Sequence, residues 1–153
     1  MTTPQLPTVS PEIINPEDKM FYAVQTVNVK DGRTVLPDAI RLPEFSCNWE
    51  RYRSFPEAVL ANFADRPEDN YLFVAYFRAG QMSTSSTADG RVFWDVGVVH
   101  VPEEQNYSHS EVQVFRRGET HHPKTRPSSS KVKMELKAHF AGQMRIIPKY
   151  GPK

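Results

Sequence analysis

Residues Val96–Arg117 read VGVVHVPEEQNYSHSEVQVFRR. Valines dominate the first part up to His100 and Val101, the polar run Pro102–Ser108 interrupts them, and Val112, Val114 and Phe115 follow at the far end. β-branched and aromatic residues bounded by turn-forming ones mark strands, and a short acidic loop between two strands makes them antiparallel neighbours. The stretch therefore predicts a sheet built from hairpins, with His100 closing one strand and His109 opening the next.

The same reading extends in both directions. Tyr71–Ala79 (YLFVAYFRA) is almost continuously apolar, as a strand buried on both faces is. Arg91–Val101 and Glu111–Arg116 are further strands. Met20–Leu36 predicts a hairpin around an Asp31-Gly32 turn, with Phe21, Ala23, Gln25, Val27 and Val29 on its core side. Ser54-Phe55-Pro56-Glu57 has the residues of a helix start: a capping hydroxyl, a first-turn proline and an acid where a capping box places one. Val59, Leu60 and Phe63 give that helix an apolar stripe. A second helix is expected from Ser129 or Ser130 to about Ala141, with Val132, Leu136 and Phe140 on one face and Gly142 as its stop. Pro37–Arg53 reads as an irregular cover carrying Phe45, Trp49 and Tyr52, while Gly80–Gly90 and Gly118–Ser130 read as polar loops. A last short strand follows at Met144–Ile147.

The order is ββ-α-βββ-α-β. Strands cluster instead of alternating strictly with helices, so the expected class is α+β, with a mainly antiparallel sheet of about five to six strands and two helices. Residues 1–18, with prolines at 4, 7, 11 and 16, read as a flexible proline-rich N-terminal arm, and 19–153 as a single α+β domain.

Composition narrows the function classes. The chain has 153 residues, of which 39% are hydrophobic, enough for a folded core. No apolar run is long enough to span a membrane, and the first residues lack a basic region followed by an apolar one, so a cytoplasmic location without membrane partners is expected. The single cysteine, Cys47, forms no internal disulfide and excludes a cysteine-rich zinc cluster. Gly-rich phosphate loops, GxSxG, HExxH and EF-hand patterns are missing, which counts against the common nucleotide-binding and hydrolase classes.

The net charge of +1 conceals a partition. Arg116–Lys153 carries ten basic and two acidic residues, a balance of +8, and residues 1–115 carry nine and 16, a balance of −7. A basic end attracts phosphate, nucleic acid or an acidic protein surface, or else packs against the chain's own acidic body. Arg116, Lys124, Arg126, Ser130, Lys131 and Lys133 are the expected phosphate or nucleic-acid contacts, since serines before a helix present free backbone N–H groups flanked here by cations. His121-His122 lie in the same loop.

The second constellation is His100, His109 and Glu111. Two imidazoles and a carboxylate supply an acid and a base near neutral pH, or ligands for a divalent metal ion. His109 and Glu111 share a strand face, and His100 joins them only if the facing strand is in register. The plainer alternative has His100 capping a strand end and His109-Ser110 making turn hydrogen bonds. No cofactor is otherwise expected. The leading expectation is a small accessory or binding domain using the basic C-terminal third. The alternatives are a histidine- or metal-dependent hydrolase (a phosphoesterase or nuclease) using His100, His109 and Glu111, and a structural or oligomer-forming protein.

Overall fold

A computed structural model describes residues 11–54, 56, 59, 71–83, 88, 89, 92–117 and 130–147. Along the chain the elements are β1 (Lys19–Gln25), β2 (Val29–Lys30), β3 (Thr34–Val35), β4 (Glu44–Trp49), β5 (Tyr71–Arg78), α1 (Ala79–Met82), β6 (Ala88–Asp89), β7 (Val92–His100), β8 (His109–Arg116), α2 (Ser130–Gln143) and β9 (Arg145–Ile146). Six strands run in the order β7-β8-β4-β1-β5-β9 with every neighbour antiparallel, and the two-residue β6 adds to the outer side of β7. The class is α+β, as the clustered strands predict. No helix among the described residues is long and apolar enough to cross a membrane.

The 96–117 stretch forms the β7–β8 hairpin, paired from Trp94↔Arg116 to His100↔Ser110. β8 does not end the sheet there. Its other side pairs with β4, from Glu44↔Gln113 to Asn48↔His109. β4 lies inside the segment expected to be an irregular cover and is a central strand of the sheet. Phe45, Cys47 and Trp49 are buried on one face, while on the other Glu44 and Ser46 are exposed and Asn48 is buried.

The expected hairpin at 20–36 is also corrected. β1 stops at Gln25, a 3-10 turn covers Thr26–Asn28, and the Asp31-Gly32 turn serves only the small separate hairpin of β2 and β3. Both turn residues have left-handed backbone, φ 55° and 68°, which glycine tolerates without penalty. β1 instead pairs with β4 and β5, and both of its faces are buried. The larger core lies on the face of Met20 and Val24, not on that of Phe21 and Ala23, and Val27 is exposed. A strand in the middle of a sheet covered on both sides has no solvent face for alternation to reveal.

α2 covers the Met20 face. Val132, Leu136 and Phe140 are buried as their spacing predicts, with the Phe140 ring centroid 5.7 Å from that of Phe45. On the opposite face Val59 is buried with Phe21, Ala23 and Val74. Pro56 and Val59 are helical, as the capping signal at Ser54 predicts, and the rest of that expected helix lies outside the described residues. Gly80–Gly90, expected as a loop, contains part of α1 and all of β6. Residues 11–18 of the expected N-terminal arm are hydrogen-bonded to the body: Gly80 N–H donates to Pro16 O (2.8 Å) and Ala79 N–H to Asp18 O (2.9 Å).

Candidate functional site

Register decides what the two histidines can do. His100 pairs with Ser110, and His109 is the next residue along β8, so the two imidazoles stand on opposite faces of the sheet. The expected grouping of His100 with His109 and Glu111 is therefore not formed. Among the described residues, no group of three or more His, Cys, Asp and Glu side chains is arranged to hold a metal ion.

His100 belongs to the core side. It is 3% exposed, its Nδ1 accepts from the Glu12 N–H at 3.0 Å, and its Nε2–H donates to Tyr107 O at 2.6 Å. Two backbone groups thus fix a neutral tautomer and occupy both nitrogens. Trp49 and Tyr107 pack edge-on against the ring, and Tyr52 stacks on it. The Glu12 carboxylate closes the cluster by accepting from the Tyr52 and Tyr107 hydroxyls. Those hydrogen bonds hold Glu12 below its ordinary range and raise Tyr52 and Tyr107, the latter to about 12. Cys47, also on this face, is 1% exposed, and burial raises its thiol well above the ordinary range, so it stays a protonated core residue.

His109 belongs to the open face. Its Nδ1–H donates to Val101 O at 2.7 Å, which leaves Nε2 as an acceptor, and the Ser46 hydroxyl lies 3.1 Å from it. Ser46 is exposed, and its cross-strand partner is Glu111. Asn48, the cross-strand partner of His109, is 8% exposed and accepts from Asn106 Nδ2 at 2.8 Å. Ser108 Oγ is 2.9 Å from the same Asn48 oxygen. These contacts tie the 101–108 loop to β4, and Trp49 N–H adds a bond to Ser108 O (2.8 Å). Ser46, Asn48, Asn106, His109 and Glu111 line a groove of about 780 Å³ together with Arg41, Glu44 and Glu103. Among the described residues, three carboxylates face one guanidinium there.

Glu111 and His109 are thus brought together, with Ser46 in place of His100. Neither Ser46 nor Asn48 stands out in sequence while β4 is taken for a cover; the Glu-Phe-Ser-Cys-Asn-Trp alternation was the signal that marks them. Of the expected phosphate contacts, Arg116 is exposed at the end of β8 with its guanidinium 5.8 Å from the Trp94 ring centre. Ser130 and Lys131 are exposed and Lys133 half-buried on α2, on the sheet face opposite the groove. Lys124 and Arg126 lie outside the described residues. No known protein family, curated protein or solved structure matches this chain.

Proposed function

We propose that this protein is a small ligand-binding domain and that its binding site is the groove over β4 and β8, taking a polar ligand that carries positive charge. The observation that carries this reading is the lining: among the described residues, Glu44, Glu103 and Glu111 stand against Arg41, around the hydrogen-bonding side chains of Ser46, Asn106 and His109. At about 7 Å, one charge pair contributes roughly 0.6 kcal/mol in water-like and 2.4 kcal/mol in protein-like dielectric. The net balance in the groove therefore favours a cation over an anion and argues against phosphate as its occupant. The groove is large enough for a small organic molecule.

The test is a nuclear magnetic resonance titration with phenyltrimethylammonium, using phenyl phosphate as its anionic counterpart. The cation is expected to shift Ser46, Asn48, His109 and Glu111, and paired Glu44→Gln and Glu111→Gln substitutions to weaken it about tenfold or more. Equal binding of the phosphate, or shifts confined to other surfaces, would overturn the reading.

A second reading places phosphate, nucleic acid or an acidic protein on the other side of the molecule. It is favoured by the exposure of Lys131 and Ser130 at the start of α2 and of Arg116, within the segment of balance +8. Its described residues on α2 lie on the sheet face opposite the groove.

A further inference from the structure

We infer that Ser46 is a nucleophile and His109 its base, so that the groove transfers acyl groups from esters or amides bearing positive charge. This rests on the groove being the binding site and goes beyond it by assigning a reaction.

Geometry carries the inference. A serine hydroxyl attacks a carbonyl only if a base takes its proton, and that base needs its free nitrogen at the hydroxyl and its other nitrogen held. His109 meets both conditions: Nδ1–H is fixed by Val101 O at 2.7 Å and Nε2 faces Ser46 Oγ at 3.1 Å. The holding group is a backbone carbonyl, an acceptor that keeps the required tautomer without adding charge. Its position is secured in turn, because Val101 N–H donates to His109 O at 3.1 Å and His109 N–H to Asn106 O at 3.1 Å. The strands hold the pair too, since Ser46 and His109 sit on paired neighbours β4 and β8. Ser46 is exposed at the groove, where substrate can reach it.

The steps balance. Ser46 Oγ bonds to the substrate carbonyl carbon while its proton passes to His109 Nε2. The carbonyl oxygen becomes an oxyanion, and among the described lining residues Arg41 is the cation available to it. As the carbonyl re-forms, the bond to the leaving oxygen or nitrogen breaks, and the leaving group takes the proton from His109. Water then attacks the acyl-serine, giving one proton to His109. The bond from the carbonyl carbon to Ser46 Oγ breaks, and His109 returns that proton to Ser46. Ester or amide and water yield acid and alcohol or amine, with no oxidant or metal required.

The experiment uses the full chain with 3-acetoxy-N,N,N-trimethylanilinium and with neutral phenyl acetate as probes. Intact mass and peptide mapping locate any acetyl group, and phenol release gives the rate. Acetylation at Ser46 is expected, about tenfold faster for the cationic ester. It should be absent in Ser46→Ala and slowed about a hundredfold or more in His109→Gln. Circular dichroism of both variants reports their folding. Ser46→Cys is the second variant, and its labelling should remain dependent on His109. Acetyl groups on lysines alone, or Ser46 labelling that is unchanged in His109→Gln, would overturn the inference. Binding of phenyltrimethylammonium without acylation would overturn it too while leaving the groove as a binding site, whereas failure of both would remove the binding reading as well.

Discussion

The two histidines show how strongly one residue of register matters. They sit within ten positions of each other, yet His100 is held by backbone on the core side and His109 faces solvent and Ser46. A strand reverses its side-chain direction at every residue, so a one-residue offset separates two imidazoles by the thickness of the sheet. The Glu12 cluster makes a prediction at this same scale. The folded-state carboxyl of Glu12 lies below its ordinary value, first because of the Tyr52 hydroxyl and then that of Tyr107. Its contribution to stability is therefore present above the unfolded-state value and lost as pH falls through the lower folded one. Tyr107 has the opposite sign. Raised to about 12, chiefly by its hydrogen bond to Glu12, it stabilises the fold fully below its ordinary value and loses that contribution as pH rises through about 12. Glu12→Gln is expected to lower the titration of Tyr107 toward the ordinary phenol range and to flatten the acid limb of the stability curve. Tyrosinate absorbance and chemical denaturation across pH check the two effects; an unmoved phenol titration would contradict the contact.

At the scale of elements, the link between the N-terminal segment and α1 depends on one small residue. A Cβ added at Gly80 would stand 2.8 Å from Pro16 Cβ and 3.1 Å from Pro16 O, closer than the packing allows. The glycine is needed for approach and not for an unusual backbone angle. Gly80→Ala should push residues 11–18 away from α1 and break the Gly80 N–H to Pro16 O hydrogen bond, at a cost of about 1–3 kcal/mol. Denaturant midpoints measure that cost, and faster hydrogen exchange of the amide at position 80 reports the broken bond; unchanged exchange would show that Pro16 gives way instead. The alternation of β4 was readable in Glu-Phe-Ser-Cys-Asn-Trp, but neighbouring Pro37 and Pro43 and the dense aromatics suggested a cover. Central position depends on β8 and β1, which are distant in sequence and supply its hydrogen bonds. Ser46 could not be linked to His109 before that pairing was known.

At the scale of the molecule, the sheet separates two chemistries. The acidic groove is on one face and α2, with Lys131 and Lys133, on the other. Among the described residues, His109 and the lysines of α2 therefore lie on opposite sides of the sheet. If the basic third binds nucleic acid, retardation of short single- and double-stranded DNA should be strongest at low salt and fall steeply as salt rises. Lys131→Glu with Lys133→Glu should weaken it, while Glu111→Gln should leave it unchanged. No retardation at low salt would remove the nucleic-acid form of that reading.

Composition and local pattern determined the class: clustered β-branched runs required strands, and the 132-136-140 spacing required a helix with one buried face. The Asp31-Gly32 turn was likewise local, because left-handed backbone is a property of the residues themselves. The face of the core, the central place of β4 and the pairing of Ser46 with His109 were decided only by tertiary structure. Each depends on which strands lie side by side and in what register, and hydrogen bonds between strands distant in sequence are made by backbone groups that every residue shares.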